Sequence, residues 1–277
     1  MTAFTPERMN SYCEAEDLCP DARTAELASF QKFLHDGAGK VVLELGSGNG
    51  TLTKCLTDMG WTVDTVDIAF QAPPGARRHY NADIANGLGF LPKDAAYDAV
   101  ASLAVLHHVA SDPKRLPTPL ADDMAAVTKP GAMVILQDVP GDAALPQMPN
   151  SPDGAAGATG ADGVYGAATT THIFAELVDP HSTPTHNGIY LQMPAISSQL
   201  TQSTGPEFEP VACFHHACDW RFPNRDTAIQ YVQSLFNLDL DRNRIEAVIE
   251  PVLKTVGAQG GQIHLPWALD CLVLRRT

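Results

Sequence analysis

The apolar residues of the first half of the chain alternate between compact runs and helical spacing. KVVLEL (40–45) is a continuous apolar run that stops abruptly at glycines, the pattern of a strand buried on both faces of a parallel sheet. Before it, Leu27, Phe30, Phe33 and Leu34 recur at helical spacing across Thr24–His35, and Gly37-Ala38-Gly39 ends that helix. After it, Thr51–Met59 reads as a helix, and WTVDTVD (61–67), HYNADI (79–84) and YDAVASLA (97–104) read as strands. Pro119–Lys129 reads as a helix with Thr118 as N-cap, and AMVILQDV (132–139) as a strand. Residues 68–78 carry two prolines and a glycine, which leave no room for a crossover helix. Strands alternating with helices predict an α/β fold with a doubly wound, mostly parallel sheet.

The flanks follow different rules. Residues 1–22 are polar and read as irregular. Residues 141–170 are rich in Gly, Ala, Pro and Asp and almost free of bulky apolar residues. Such a stretch buries too little to build a core, and it predicts either a lid or a surface excursion. The last third resumes order, with helices at Met193–Gln202, Arg225–Phe236 and Asp241–Val256 and strands at 209–222 and 265–276.

Composition narrows the function. The 277 residues carry 18 Lys and Arg against 32 Asp and Glu, a formal net charge of −14. Phosphate backbones and anionic membrane surfaces need a basic footprint, and only isolated pairs such as Arg77-Arg78 and Arg275-Arg276 occur. Nucleic acid and membrane are therefore not expected as partners. The six cysteines are scattered, and the first residues lack a signal-peptide pattern, so reduced thiols and a cytoplasmic location are expected. Cys213-Phe214-His215-His216-Ala217-Cys218 invites a metal reading, but period-two alternation splits its ligands between two faces. No metal is expected.

The informative segment is VVLELGSGNG (41–50), followed by VDTVDI (63–68). Glycines at 46, 48 and 50 let a ligand approach the backbone. The G-x-G-x-G spacing differs from the G-x-G-x-x-G of dinucleotide-binding turns, and Glu44 suits a ligand bearing an ammonium group. The segment resembles the first motif of class I S-adenosylmethionine-dependent methyltransferases. TVDI (65–68), NADI (81–84), YDAVASLAVLHHV (97–109) and TKPGAMVILQD (128–138) resemble the family's later segments in the family's order. The resemblance implies a Rossmann-like methyltransferase fold with helical additions in the C-terminal third, and S-adenosyl-L-methionine as cofactor. It implies that Glu44, Gly46, Ser47, Gly48 and Gly50 receive the amino-acid part of the cofactor. It implies that Asp67 holds the ribose and Asp83 the adenine, with Ile68, Ile84 and Ser102 completing that site. In departure from the family, the stretch between Asp67 and Asp83 is short, and 141–170 carries no family motif.

This gives an N-terminal cap segment (1–39), a cofactor-binding half (40–140), a flexible insertion or lid (141–170) and an acceptor-side half completing the same domain (171–277). The acceptor is expected to be a small molecule. His186 with Tyr190 is the first choice for a catalytic base, because Asn187-Gly188 makes a turn beside it; His181 and His107 follow. His107-His108 also read as a pair bracing the end of the fourth strand, and Asp138 as either facing the acceptor or fixing a loop. Trp220 and Phe222 read as a pocket wall or as core. The competing functions are a cyclisation or rearrangement that uses the same cofactor, and a non-catalytic cofactor-binding scaffold.

Overall fold

The structure, a computed structural model, describes residues 6–68, 71–141, 145, 161–182, 188–202, 208–257 and 261–277. Its strands are β1 (Val41–Leu45), β2 (Thr62–Asp67), β3 (Ala76–Asn81), β4 (Tyr97–Leu103), β5 (Thr128–Asp138), β6 (Phe208–Ala217), β7 (Trp220–Phe222), β8 (Lys254–Val256), β9 (Gln262–Leu265) and β10 (Ala268–Arg276). Its helices are α1 (Pro6–Leu18), α2 (Ala28–Phe33), α3 (Thr51–Asp58), α4 (Leu106–Val109), α5 (Thr118–Val127), α6 (Ala161–Ile173), α7 (Asp179–His181), α8 (Met193–Gln202), α9 (Arg225–Leu235) and α10 (Arg242–Ile249).

The chain forms two compact units. One comprises Leu27–Ala155, Ile189–Phe214 and Asp270–Thr277 and is built on a seven-stranded sheet in the order β3-β2-β1-β4-β5-β10-β6. Neighbouring strands from β3 to β5 pair in parallel, and β10 runs antiparallel to β5. This is the doubly wound, mostly parallel sheet expected. Leu43 and Leu45 of β1 are buried with Val100, Leu106, Leu120 and Met124, whereas Val42 is buried with Phe30, Leu52 and Leu56. Alternate residues of one strand thus serve two cores, which is why its sequence is apolar throughout. Fully burying each such leucine stabilises the fold by roughly 1.5–3 kcal/mol. Within the sheet, the buried Asp64 of β2 accepts hydrogen bonds from Arg77 at 2.8 and 2.6 Å and from the Tyr97 hydroxyl at 3.2 Å.

The other unit comprises Met1–Glu26, Ala156–Gly188 and His215–Leu269, with a three-stranded sheet in the order β7-β9-β8. Trp220 stacks on Trp267 with ring centroids 3.9 Å apart, and Tyr231 and Phe236 complete the cluster. Trp220 and Phe222 are both 1% exposed, so they are core residues, not a pocket wall. Beside them Glu26, also 1% exposed, accepts from the Trp220 Nε1–H at 2.7 Å and from Arg23 at 2.7–3.1 Å.

Several elements depart from the sequence reading. Residues 6–18 form α1 where irregular chain was expected. The helix is anchored through polar groups, Tyr231 donating to Glu16 at 2.9 Å and Ser11 to Asn237 at 3.0 Å, so it has little apolar stripe to read. The third strand starts at Ala76 and ends at Asn81, because Asp83 accepts from the Ala85 N–H and turns the chain. Pro117, not Thr118, holds the cap position of α5, and β5 begins at Thr128 with the Lys-Pro-Gly residues inside it. The strand expected at 209–222 is two strands in two sheets. The helix expected at 241–256 ends at Ile249, ahead of Pro251, and Lys254–Val256 is a strand. Asp179–His181 is helical. Of residues 141–170, positions 142–144 and 146–160 lie outside the described residues, and 161–170 are helical. Among the described residues no helix is long and apolar enough to cross a membrane.

The Glu26 cluster gives a stability prediction. Arg23→Ala leaves a carboxylate buried without its cation, and the expected loss is about 3–5 kcal/mol. Arg225→Ala breaks the Arg225–Glu250 pair, whose side chains are 43% and 40% exposed. It is expected to cost less than about 1 kcal/mol. Denaturant midpoints of the two variants against the parent check this contrast.

Candidate functional site

β1 ends at Leu45 and the chain enters α3 through Gly46-Ser47-Gly48-Asn49-Gly50. Gly46 and Gly48 have φ of +73° and +49°, the left-handed region where a Cβ is strained. A Cβ on Gly46 would lie 2.4 Å from the Val105 side chain, so the turn rests directly on the chain leaving β4. A Cβ on Gly48 would meet nothing within 4 Å, so that side of the turn is open. The Asp67 carboxylate, ending β2, accepts the Gly48 N–H at 2.8 Å and holds the turn in this shape. The Oγ atoms of Ser47 and of Ser102, near the end of β4, are buried with no hydrogen-bond partner among the described residues.

The other residues implied by the resemblance fall along the same strand ends. Asp83 is half-buried, and its Oδ1 accepts the Ala85 N–H at 2.9 Å. Ala82 N–H donates to the Asp67 carbonyl at 3.1 Å, which ties the ends of β2 and β3 together. Ile68 is 44% exposed at the end of β2, whereas Ile84 is packed in the core. Glu44 sits behind the turn: it is 1% exposed and accepts from the Thr53 hydroxyl of α3 at 2.5 Å. Burial, opposed by the Thr53 hydrogen bond and reinforced by the charge of Asp67, pushes its carboxyl up to about 8. Thr53 carries no sequence signal for this role beyond its place in the first turn of α3.

On the acceptor side the expected residues separate. His186 lies outside the described residues. His181 ends α7 and belongs to the other unit. His107 and Tyr190 come together, with ring centroids 6.3 Å apart. His107 is buried on α4, and its Nδ1 lies 2.5 Å from Asp138 Oδ1, while its backbone N–H donates to Asp138 Oδ2 at 3.1 Å. Asp138 thus fixes the loop, as one of its two readings held, and it also grips a histidine. His216 binds the Ala25 carbonyl at 2.9 Å instead. Among the described residues no group of three His, Cys, Asp or Glu side chains is placed to hold a metal.

An open glycine turn, two unpartnered buried hydroxyls and carboxylates at successive strand ends fit S-adenosyl-L-methionine, whose polar groups need donors and acceptors at that edge. Sheet order and turn together define a class I methyltransferase fold. A family model described as a methyltransferase domain matches residues 20–176, more than half of the chain. The chain belongs to this family and is an S-adenosyl-L-methionine-dependent methyltransferase. No curated protein matches it. Among solved structures it is similar to the YcgJ protein of Bacillus subtilis, with 13% identity, 91% of this chain and 97% of that chain covered, and a TM-score of 0.51. It is also similar to the cyclopropane synthase MmaA2 of Mycobacterium tuberculosis, with 12% identity, 98% and 94% covered, and a TM-score of 0.52. Both likenesses concern the fold.

Glu44 makes stability depend on pH. Its folded carboxyl is raised from 4.5 to about 8, so its contribution is full below 4.5 and is lost as pH rises through 8. Glu44→Gln, which still accepts from Thr53, lacks this loss. The variant is expected to gain on the parent by ~2 kcal/mol between pH 5 and pH 8.5, since each tenfold change in a protonation equilibrium is worth about 1.4 kcal/mol and burial is partly relaxed by solvent. Paired denaturant titrations at the two pH values check it.

Proposed function

We propose that the chain transfers a methyl group from S-adenosyl-L-methionine to a small-molecule acceptor at the C-terminal edge of the seven-stranded sheet. The observation that carries this reading is the glycine turn seated on Val105, which puts the cofactor cradle against the segment that leads from β4 to α4. When bound, the cofactor supplies a sulfonium-activated methyl group, so the protein's work is alignment and exclusion of water.

The residues divide that work. The backbone of Gly46–Gly50 and the Ser47 and Ser102 hydroxyls receive the amino-acid part. Asp67 takes the ribose while its other contact keeps Gly48 in place. Asp83 and the exposed Ile68 flank the adenine. Glu44, closed off behind the turn, acts on the cofactor's charge through the turn rather than as a direct contact. A small acceptor suits a chain of net charge −14 with no clustered basic stripe.

Asp67→Ala tests the cradle. It removes a charge-assisted acceptor and the anchor of Gly48, so affinity for S-adenosylmethionine and S-adenosylhomocysteine is expected to fall alike, by about 1–3 kcal/mol. Isothermal calorimetry reads both. Equal affinity of parent and variant would remove Asp67 from the site, and absence of binding by the parent would remove the cradle.

A further inference from the structure

At the edge of the seven-stranded sheet opposite the cofactor turn, where β1, β4 and β5 begin, the surface opens into a cavity of about 290 Å³. Its walls come from the end of α2, from Lys40 before β1, Trp61 before β2, Asp98 of β4 and the first residues of β5, all within one compact unit. A break in the sheet makes the room. Tyr97 pairs with Thr128 and Ala99 with Met133, so residues 129–132 of β5 loop out opposite the single residue Asp98. Such bulges bend a strand away from its neighbour and re-aim its side chains. Gly131 carries the loop at φ +82°, and a Cβ there would meet nothing within 4 Å. Trp61 is fixed by Gly37, where a Cβ would lie 2.3 Å from the ring.

The lining has an apolar part and a charged part. Phe33, Leu34, Trp61 and Met133 supply the first. The Trp61 indole N–H already donates to the Leu34 carbonyl at 2.8 Å, so the ring offers the cavity carbon alone. Lys40 and Lys129 supply the second, each with a side chain 43% exposed. Lys129 Nζ donates to the two Asp98 oxygens at 2.8 and 2.9 Å, and Asp98 also accepts the Val41 N–H at 2.9 Å. Lys40 Nζ lies 5.8 Å from the Trp61 ring centroid and donates to the Asp36 carbonyl at 2.7 Å and to its carboxylate at 3.4 Å. An ammonium has three N–H groups, so each lysine keeps the capacity to donate to a further oxygen. Asp36 and Asp98 are already engaged by these lysines, and an incoming cation would compete with them for the same oxygens.

We propose that this cavity is a second ligand site, separate from the cofactor cradle, and that it takes a small aromatic carboxylate. Phe33, Trp61 and Met133 receive the ring, and Lys40 and Lys129 donate to the carboxylate. Ligand pockets run upward from about 300 Å³, so this one suits a molecule of one or two rings and not a nucleotide or a coenzyme. The five residues of β1 separate it from the glycine turn, roughly 16 Å at about 3.3 Å per residue. A molecule held there is out of reach of the cofactor's methyl group and is neither cofactor nor methyl acceptor.

The test uses the full chain with saturating S-adenosylhomocysteine and three probes of one shape: 2-naphthoate, 2-naphthylmethanol and 2-naphthylmethylammonium. The three tryptophans give three indole N–H signals in a nitrogen-15 spectrum. That of Trp61 is assigned by its absence from Trp61→Phe, and those of Trp220 and Trp267 report the core of the other unit. Naphthoate is expected to move the Trp61 signal saturably and to leave the other two in place. The alcohol and the ammonium probe are expected to bind roughly tenfold more weakly, the worth of one charge-assisted hydrogen bond. Lys40→Gln and Lys129→Gln should each weaken naphthoate severalfold and leave the alcohol unchanged, with parent-like Trp220 and Trp267 signals certifying the fold. A Trp61 signal that does not move, or that moves linearly without saturation, would overturn the site. So would a Trp61 shift seen only without S-adenosylhomocysteine, which would place the probe in the cofactor cradle. Equal binding of the three probes, or naphthoate binding unchanged in both lysine variants, would overturn the carboxylate class.

Discussion

Gly46 is packed so closely on Val105 that a single methyl group there would lie 2.4 Å from the side chain. This contact sets the geometry of everything at that edge of the sheet. β1 and β4 pair in register, Glu44 opposite Ala101 and Leu45 opposite Ser102, so both strands stop at the same level. The chain leaving β1 must turn back immediately, in a left-handed conformation, and the chain leaving β4 must make room for it. Ala104 at φ +52° is the counterpart of that demand on the β4 side. Asp67 then locks the turn from β2 through the Gly48 N–H. Three parallel strands thus cooperate to hold one short loop, and none could do so if the sheet were antiparallel there, because their ends would alternate between edges.

The fold was legible in the sequence where burial on both faces or a change of period spoke directly. β1, β2, β4, α3, α8 and α9 fall within a residue or so of their expected limits because each carries an apolar pattern of its own. The pattern fails where apolar periodicity continues through a break. Residues 208–222 keep alternating across Cys218 and Asp219, so nothing marks the passage from one sheet to another. It fails again where polar contacts hold an element in place, as α1 is held through Glu16 and Ser11. The two-unit arrangement was hidden for the same reason. The N-terminal segment joins residues 215–269 through Arg23, Glu26 and Trp220, a cluster of long-range polar contacts that no local window contains.

The site divides along the same line. The glycine turn and the carboxylates at successive strand ends are local signals, spaced by the repeat of the fold, and the structure puts Asp67 and Asp83 at neighbouring strand ends. The role of Glu44 was legible only in part. Its position two residues before Gly46 says that it is near the turn, but only the packing of α3 shows that Thr53 takes its carboxylate and that it is closed off. His107 and Asp138 are 31 residues apart in the chain, and each has an ordinary structural reading on its own. Only the pairing of β4 with β5, which brings their ends level, turns two ambiguous residues into one arrangement.

Electrostatics gives the edge its division of labour. Glu44 and Asp67 both lie at the cofactor turn, and the charge of Asp67 helps keep the buried Glu44 protonated. A cation arriving at that end would favour the ionisation of the buried Glu44. Asp138 is the opposite case: it is equally buried, yet it is kept ionised by the histidine and the N–H groups around it. One edge of the sheet therefore holds two buried acids with opposite preferences, one favouring the proton and one refusing it. The difference follows from what surrounds them. Glu44 has the hydroxyl and the backbone N–H of Thr53 and a neighbouring negative charge, whereas Asp138 has two backbone donors and an imidazole. Desolvation alone would have raised both, so the imidazole beside Asp138 and the negative charge beside Glu44, and not burial, set the two apart.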